Sequence, residues 1–490
     1  MHVKHLSLSI LLFFFLFHIK GQDWSALDKK IPKSQLQEEL AILKRNLEEV
    51  HIGLYEYYPK SKLDSTFKAI DEGLLPEMSP MQFYRVLTPL LQFIANGHTA
   101  IRPPEIYYQK RNAEDLMFPF AVHWQDGGLY VLRNLSQEES IRPGAQILSI
   151  NGTAAPEIFK HLANQMTRDG YNQSLPETEA ARAFTSFFAI YYGNPPRFDL
   201  KIKGITGEEE IYKLSALPLD SLRSIRKKRY GSPPKAWYQN GTNAYTLEVE
   251  GKTAIMTLRT FGKSWIRQNG LSYKKFFNTA FQEIEDKEIE HLIIDMRDNG
   301  GGDPEPTIKL FAHLHNEPFT FYEGIYTSTR KIPDKEHYKT NVSLLNFYLS
   351  LRTKKEGDIY RVKGVAGIKE SKPALPYYQG KTYILTNANS FSATGEMTAI
   401  LKEYKKGIFI GEEAGGNPNQ NTSGVMMGME LPHSKIRVTM PLVLFKMNVN
   451  FENTGRGVIP DHIVVPSLED RMEGRDVVME FTKDLIAKDP

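Results

Sequence analysis

The sequence predicts a mixed α/β protein in three parts: a helical N-terminal region, a β-rich middle domain and an α/β core built on a parallel sheet. Three observations carry that prediction. Between residues 34 and 94 apolar side chains recur at helical spacing, as in Leu36, Leu40, Leu43, Leu47 and then Phe83, Val86, Leu87, Leu90, Leu91, which sets one apolar face along each helix. Between residues 118 and 150 short alternating runs are broken at Gly127-Gly128 and Pro143-Gly144, the pattern of strands joined by turns. From residue 242 onward apolar runs alternate with helical segments, and strands that alternate with helices imply a parallel sheet.

In chain order, the first element is outside the fold. Lys4 and two histidines precede an apolar run from Leu6 to Phe17, and a polar stretch ends at Gly21-Gln22. A charged start, a short apolar stretch and small residues at its exit describe a secretory signal peptide over residues 1–22. Twelve positions are short of the ~20 that span a bilayer, so the mature chain is expected without stable membrane insertion, in a periplasmic or extracellular compartment. An uncleaved anchor is the lesser alternative. The helical region follows over 23–114; Ser79-Pro80 reads as a helix start, and the helices end at Asn96-Gly97-His98-Thr99.

The middle domain spans 115–205. Its stretch Ile141-Arg142-Pro143-Gly144-Ala145-Gln146-Ile147-Leu148-Ser149-Ile150-Asn151-Gly152 resembles the most recognisable part of a PDZ domain, a fold that binds peptides by strand addition. A helix near residues 156–163, an insertion over 165–196 and a strand at 198–203 complete it. Residues 206–241 read as a linker, with the basic cluster Arg223, Arg226, Lys227, Lys228, Arg229 before Gly231-Ser232-Pro233-Pro234. The core, 242–490, opens with a hairpin turning at Gly251. Beyond it, strands at 291–296, 382–386 and 408–411 alternate with helices at 276–284, 307–313 and 393–403.

Composition narrows the function. The chain of 490 residues is 41% hydrophobic and 24% charged, with a formal net charge of +3. That excludes disorder, and the near-neutral balance argues against nucleic acid as the partner. No cysteine is present, so disulfides, thiolate nucleophiles and zinc-cysteine sites are excluded. His313-x-His315 lacks a third ligand, and neither metal nor cofactor is expected.

Two loops hold the chemistry, each following a buried strand. The first is Asp295-Met296-Arg297-Asp298-Asn299-Gly300-Gly301-Gly302. Glycines there let backbone N–H groups approach a ligand closely, as an oxyanion site or a phosphate cradle requires; no Gly-Lys-Ser/Thr follows to favour phosphate. The second is Asn387-Ala388-Asn389-Ser390-Phe391-Ser392-Ala393-Thr394-Gly395-Glu396. A serine entering a helix from a strand sits where helix-terminal N–H groups stabilise negative charge, although either Ser392 or Ser390 could equally cap the helix.

Together, Asp-x-Arg-x-Asn-x-Gly-Gly, a Ser-Ala helix start about ninety residues later and Gly411-Glu412-Glu413 resemble the tail-specific (C-terminal processing) serine protease family, across roughly residues 40 to 470. The resemblance implies a ClpP/crotonase-like core and an acyl-enzyme mechanism without metal. It implies Ser392 as nucleophile, with Ser390 in reserve because Gly395 adds one residue to the family's spacing. One branch of the family uses a lysine twenty-five residues after the serine; here that position is Asn417, which cannot take a proton. The tricorn-type branch uses Ser-His-Glu, and its pattern maps onto His98 and onto Glu452, ahead of Gly457-Val458-Ile459-Pro460-Asp461. Glu413 and Asp461 compete with Glu452. Gly301 and Ala393 are the expected oxyanion donors. The expected substrate is a peptide or unfolded protein; an esterase or other acyl hydrolase, and a non-catalytic PDZ-type binding protein, are the alternatives.

Overall fold

The computed structural model describes residues 24–231 and 243–488. The expected signal peptide (1–22) and the end of the expected linker lie outside the described residues. Among the described residues no helix is long and apolar enough to cross a membrane.

The N-terminal helices are Lys33–Val50, Lys60–Glu72, Pro80–Leu87 and Leu90–Ile94. The third starts where Ser79-Pro80 predicts: Ser79 Oγ accepts from the Gln82 N–H and Gln82 Oε1 accepts from the Ser79 N–H, a reciprocal cap that satisfies two orphan donors. Leu36, Leu40, Leu43 and Leu47 are buried and join the apolar cluster of the α/β core, so both regions share one hydrophobic core. A fifth helix, Glu105–Glu114, lies beyond the expected end of this region's helices; the fourth stops at Ala95, in the left-handed region at φ 47°. The chain then turns through Asn96–Thr99 into the strand Ala100–Arg102, which pairs antiparallel with Arg437–Thr439. That seam carries the histidine turn onto the core.

The middle domain has its own apolar cluster, including Phe118, Phe120, Val131, Phe159, Phe188 and Phe198. Its antiparallel sheet runs Glu209–Ser215, Arg197–Lys203, Gln146–Ile150, Gly128–Asn134, Phe120–Gln125, which leaves Phe120–Gln125 at an edge. The insertion folds into two helices, Ser174–Arg182 and Phe184–Tyr192. The expected linker needs correcting: its first part supplies the strand Glu209–Ser215 and the helix Leu219–Tyr230. Only Leu214 of that strand is buried, so the alternation that marks a half-buried strand is missing from its sequence. The basic cluster rides on the helix, where Arg229 donates to the Asn134 and Ser136 carbonyls and pairs with Glu139.

The core sheet starts with Tyr245–Glu250 antiparallel to Thr253–Leu258. It continues in parallel through His291–Asp295, Lys381–Thr386, Ile408–Gly411 and His462–Ile463. Leu292, Ile293, Ile294, Tyr383, Ile384 and Leu385 are fully buried, as expected of parallel strands covered on both faces. Two neighbouring strands, His291–Asp295 and Lys381–Thr386, each feed a loop and then a helix, Pro304–Ala312 and Ala393–Glu403. Both candidate loops therefore open at the carboxyl ends of adjacent strands, where ligands bind in such sheets. A second sheet, built on the long pair Gln420–Glu430 and Arg437–Met447, backs this layer and was not expected from sequence.

Candidate active site

The Asp-x-Arg-x-Asn pattern builds the first loop. Asp295 accepts two bonds from the Arg297 guanidinium at 2.9 Å each, and Arg297 also donates to Asp476 at 2.6 and 2.8 Å. Forked pairs of this kind fix geometry as well as charge. Asn299 is buried; its Nδ2 donates to the Leu258 carbonyl at 3.0 Å and its Oδ1 accepts from the Gly301 N–H at 2.9 Å. Asp298 accepts from Asn387 and Asn389, and the Asn299 carbonyl accepts from the Phe391 N–H at 3.1 Å. The two loops are thus zipped together residue by residue.

Gly301 shows why glycine is required. Its φ is +93°, and a Cβ there would lie 2.7 Å from the Ala393 nitrogen, the Phe391 carbonyl oxygen and Ser392 Cβ. Gly395 has a comparable reason: a Cβ would meet the Gly415 carbonyl oxygen at 2.9 Å, so the extra residue in the helix start is a close backbone approach. Glu396, next in line, is buried and accepts from Tyr322 Oη and Asn421 Nδ2 at 2.5 Å each; burial raises its pKa.

Ser392 precedes the helix Ala393–Glu403 at φ 59°, ψ −127° and makes no side-chain cap. A non-glycine residue there stores roughly 1–3 kcal/mol of strain, as a serine held at a sharp strand-to-helix turn does. Its Oγ lies 3.0 Å from His98 Nε2. Ser390 is different: it is fully buried, its Oγ donates to the Met296 carbonyl at 2.9 Å and accepts from the Asn387 N–H at 3.0 Å. Its hydroxyl ties the two loops and, among the described residues, makes no hydrogen bond to a histidine.

The histidine turn is held from within. Asn96 Oδ1 accepts from the His98 N–H and from Thr99 Oγ1, both at 3.1 Å, and Thr99 Oγ1 meets His51 Nε2 at 2.7 Å. The His98 ring stacks on Phe391 with centroids 4.6 Å apart. Burial, with a smaller contribution from His51, lowers the His98 pKa to about 4, so the imidazole is neutral at pH 7 and free to take a proton. Its Nδ1 is buried and has no hydrogen-bond partner among the described residues.

The carboxylate expected at that nitrogen is not there. Glu452 is exposed and among the described residues its side chain makes no hydrogen bond. Its loop is anchored by neighbours instead: Asn453 Nδ2 donates to Glu56 at 2.7 Å, and the Gly455 carbonyl accepts from the Tyr171 N–H at 2.7 Å. Glu413 and Asp461 are also engaged elsewhere, the first with Arg456 and the Gly457 N–H, the second with Lys402 and the Phe409 N–H. Of the expected oxyanion donors, Ala393 heads its helix, whereas the Gly301 amide is already engaged by Asn299. Phe391, Asn96 and Thr99 were missed from sequence; Asn96 and Thr99, two residues before and one after the histidine, carry capping chemistry that was legible.

A serine at a strained helix entrance beside a neutral histidine, in a ClpP-like α/β layer, defines the class of a serine hydrolase. Residues 252–464 match the model of Peptidase family S41. The core is an S41 peptidase domain, and the protein is a serine-type peptidase. Among solved structures, mature CPAF complexed with lactacystin is similar at 14% identity and TM-score 0.62, covering 93% of this chain and 98% of that one. A second crystal structure of mature CPAF gives 15% identity, TM-score 0.60 and coverage of 93% and 97%. This likeness concerns the fold. No curated protein matches the sequence.

Proposed function

We propose that the protein is an exported serine peptidase that hydrolyses unfolded or short peptides through an acyl-enzyme on Ser392. The observation that carries this reading is the 3.0 Å contact between Ser392 Oγ and His98 Nε2. Ser392 Oγ attacks the scissile carbonyl carbon while its proton passes to Nε2. The Ala393 N–H, at the positive end of its helix, receives the developing oxyanion; the Gly301 N–H joins by sharing with Asn299. His98 then gives its proton to the leaving amine as the C–N bond breaks, and water releases the acyl group by the reverse route. In this reading Ser392 and His98 work as nucleophile and base, without Glu452 in contact.

The middle domain is the PDZ-like docking module in this reading. The edge strand Phe120–Gln125 and the helix Ser174–Arg182 line a cleft of about 1760 Å³ that is also lined by Asp298, Asn387 and Asn389 of the two candidate loops. An extended peptide added to that edge would lie along the approach to Ser392. Export rests on the signal-peptide pattern of residues 1–22.

The test offers the mature protein an unfolded polypeptide, the same polypeptide folded, and a short-chain nitrophenyl ester. Turnover of the unfolded form well above the folded one is expected. Ester turnover without cleavage of the polypeptide would contradict the proposal.

A further inference from the structure

Among the described residues no carboxylate meets the His98 imidazole, yet a buried carboxylate lies against its turn. Asp169 comes from the insertion in the middle domain and is 8% exposed. Its Oδ1 accepts from the Gly97 N–H at 2.8 Å, the residue before His98. Its Oδ2 makes no hydrogen bond among the described residues and lies 3.0 Å from where a Cβ on Gly97 would sit; that same Cβ would be 2.5 Å from the Phe391 ring. The carboxylate, the His98 turn and the ring stacked on His98 therefore share one pocket.

The next two residues extend the grip. The Gly170 N–H donates to the Ala95 carbonyl at 2.9 Å, and the Tyr171 N–H donates to the Gly455 carbonyl at 2.7 Å. Three consecutive residues of the middle domain thus hold the His98 turn on both sides of Asn96 and tie it to the loop that follows Glu452. A carboxylate buried with a single neutral donor is costly to desolvate, and such groups concentrate at functional sites.

We propose that Asp169 is a positioning residue for catalysis: its carboxylate fixes the Gly97 amide, and through it the His98 imidazole, against Ser392. This rests on the Ser392–His98 reading above. Among the described residues Tyr57 is the titratable group that feels the carboxylate's charge, with Glu56 beyond it and hydrogen-bonded to Asn453. Arg168 on its own segment turns its guanidinium to the Ala163 carbonyl and Gln173 instead. Burial pushes the Asp169 carboxyl up to about 6, while the Gly97 N–H pulls the other way. The group therefore loses its charge as pH falls through that range, weakening its hold on Gly97, whereas His98 alone would stay neutral down to about 4.

The experiment measures the rate at which a fluorophosphonate probe labels Ser392 across pH, in wild type, Asp169→Asn, Asp169→Ala and His98→Ala. Wild type should lose rate as pH falls through about 6. Asp169→Asn keeps the shape and an acceptor for Gly97 but not the charge. It should label about tenfold to a hundredfold more slowly at neutral pH, as the loss of one charged hydrogen bond implies, with its acid limb moved to lower pH. Asp169→Ala should be slower still. An unchanged rate, or a slower rate with the wild-type limb, overturns the proposal. Should the variants fail to fold, the wild-type profile decides: a limb near 4 overturns it. No Ser392 adduct in wild type would overturn the serine–histidine reading itself, a different outcome from a labelled enzyme indifferent to Asp169.

Discussion

Replacing His98 by alanine is expected to lower kcat on a peptide substrate by roughly 10²–10⁴-fold, about 3–5 kcal/mol of transition-state stabilisation, the range for removal of a positioned general base. KM should change little, because the imidazole acts on the proton of Ser392 Oγ, 3.0 Å from Nε2, and not on the bound peptide. Ser392→Ala should bring the rate to background, while Ser390→Ala should stay active and lose stability, since its hydroxyl ties Met296 to Asn387. Steady-state kinetics beside thermal melts of the three variants check this. Equal loss of activity in Ser390→Ala and Ser392→Ala without unfolding would contradict it.

The second large effect is expected at Gly301. Alanine there must accept φ +93° and place a methyl group 2.7 Å from the Ala393 nitrogen and the Phe391 carbonyl oxygen. Both obstacles are backbone, with no flexible side chain to swing aside. The strained backbone alone costs about 1–3 kcal/mol. Displacing the oxyanion donors costs a further factor of about 10²–10³ in kcat, as loss of one such donor does elsewhere. Gly301→Ala should therefore melt at a lower temperature and be nearly inactive while still folded. Gly300→Ala is the control, since nothing lies within 4 Å of a Cβ at that position. Comparable damage from both would show that the close approach to Ser392 is not the cause.

Much of this was legible in the sequence because buried parallel strands read as unbroken apolar runs and their loops as sudden clusters of glycine, asparagine and serine. His291–Asp295 and Ala393–Glu403 emerge from the structure close to their expected bounds for that reason. His98 was legible only through resemblance, since its approach to Ser392 depends on the three-residue seam between Ala100–Arg102 and Arg437–Thr439. The long strand Arg437–Met447 was hidden by Pro441, which removes a ladder donor; it pairs with Met426, beside a bulge that absorbs the irregularity. Glu452 was assigned by motif, and its exposure follows from tertiary anchors at Asn453 and Gly455 that no local pattern encodes. Asp169 lay in a segment read as an insertion. Its contact with Gly97 joins residues 72 apart in the chain, from two regions with no shared periodicity.

The measurement that tests the central claim most directly is fluorophosphonate labelling of the wild-type protein, followed by mass spectrometry of the modified peptide. The pairing of a strained Ser392 with a neutral His98 predicts a single adduct on Ser392 that is lost in Ser392→Ala and strongly slowed in His98→Ala. An adduct on Ser390, or none on folded wild-type protein, would contradict an activated serine at this site.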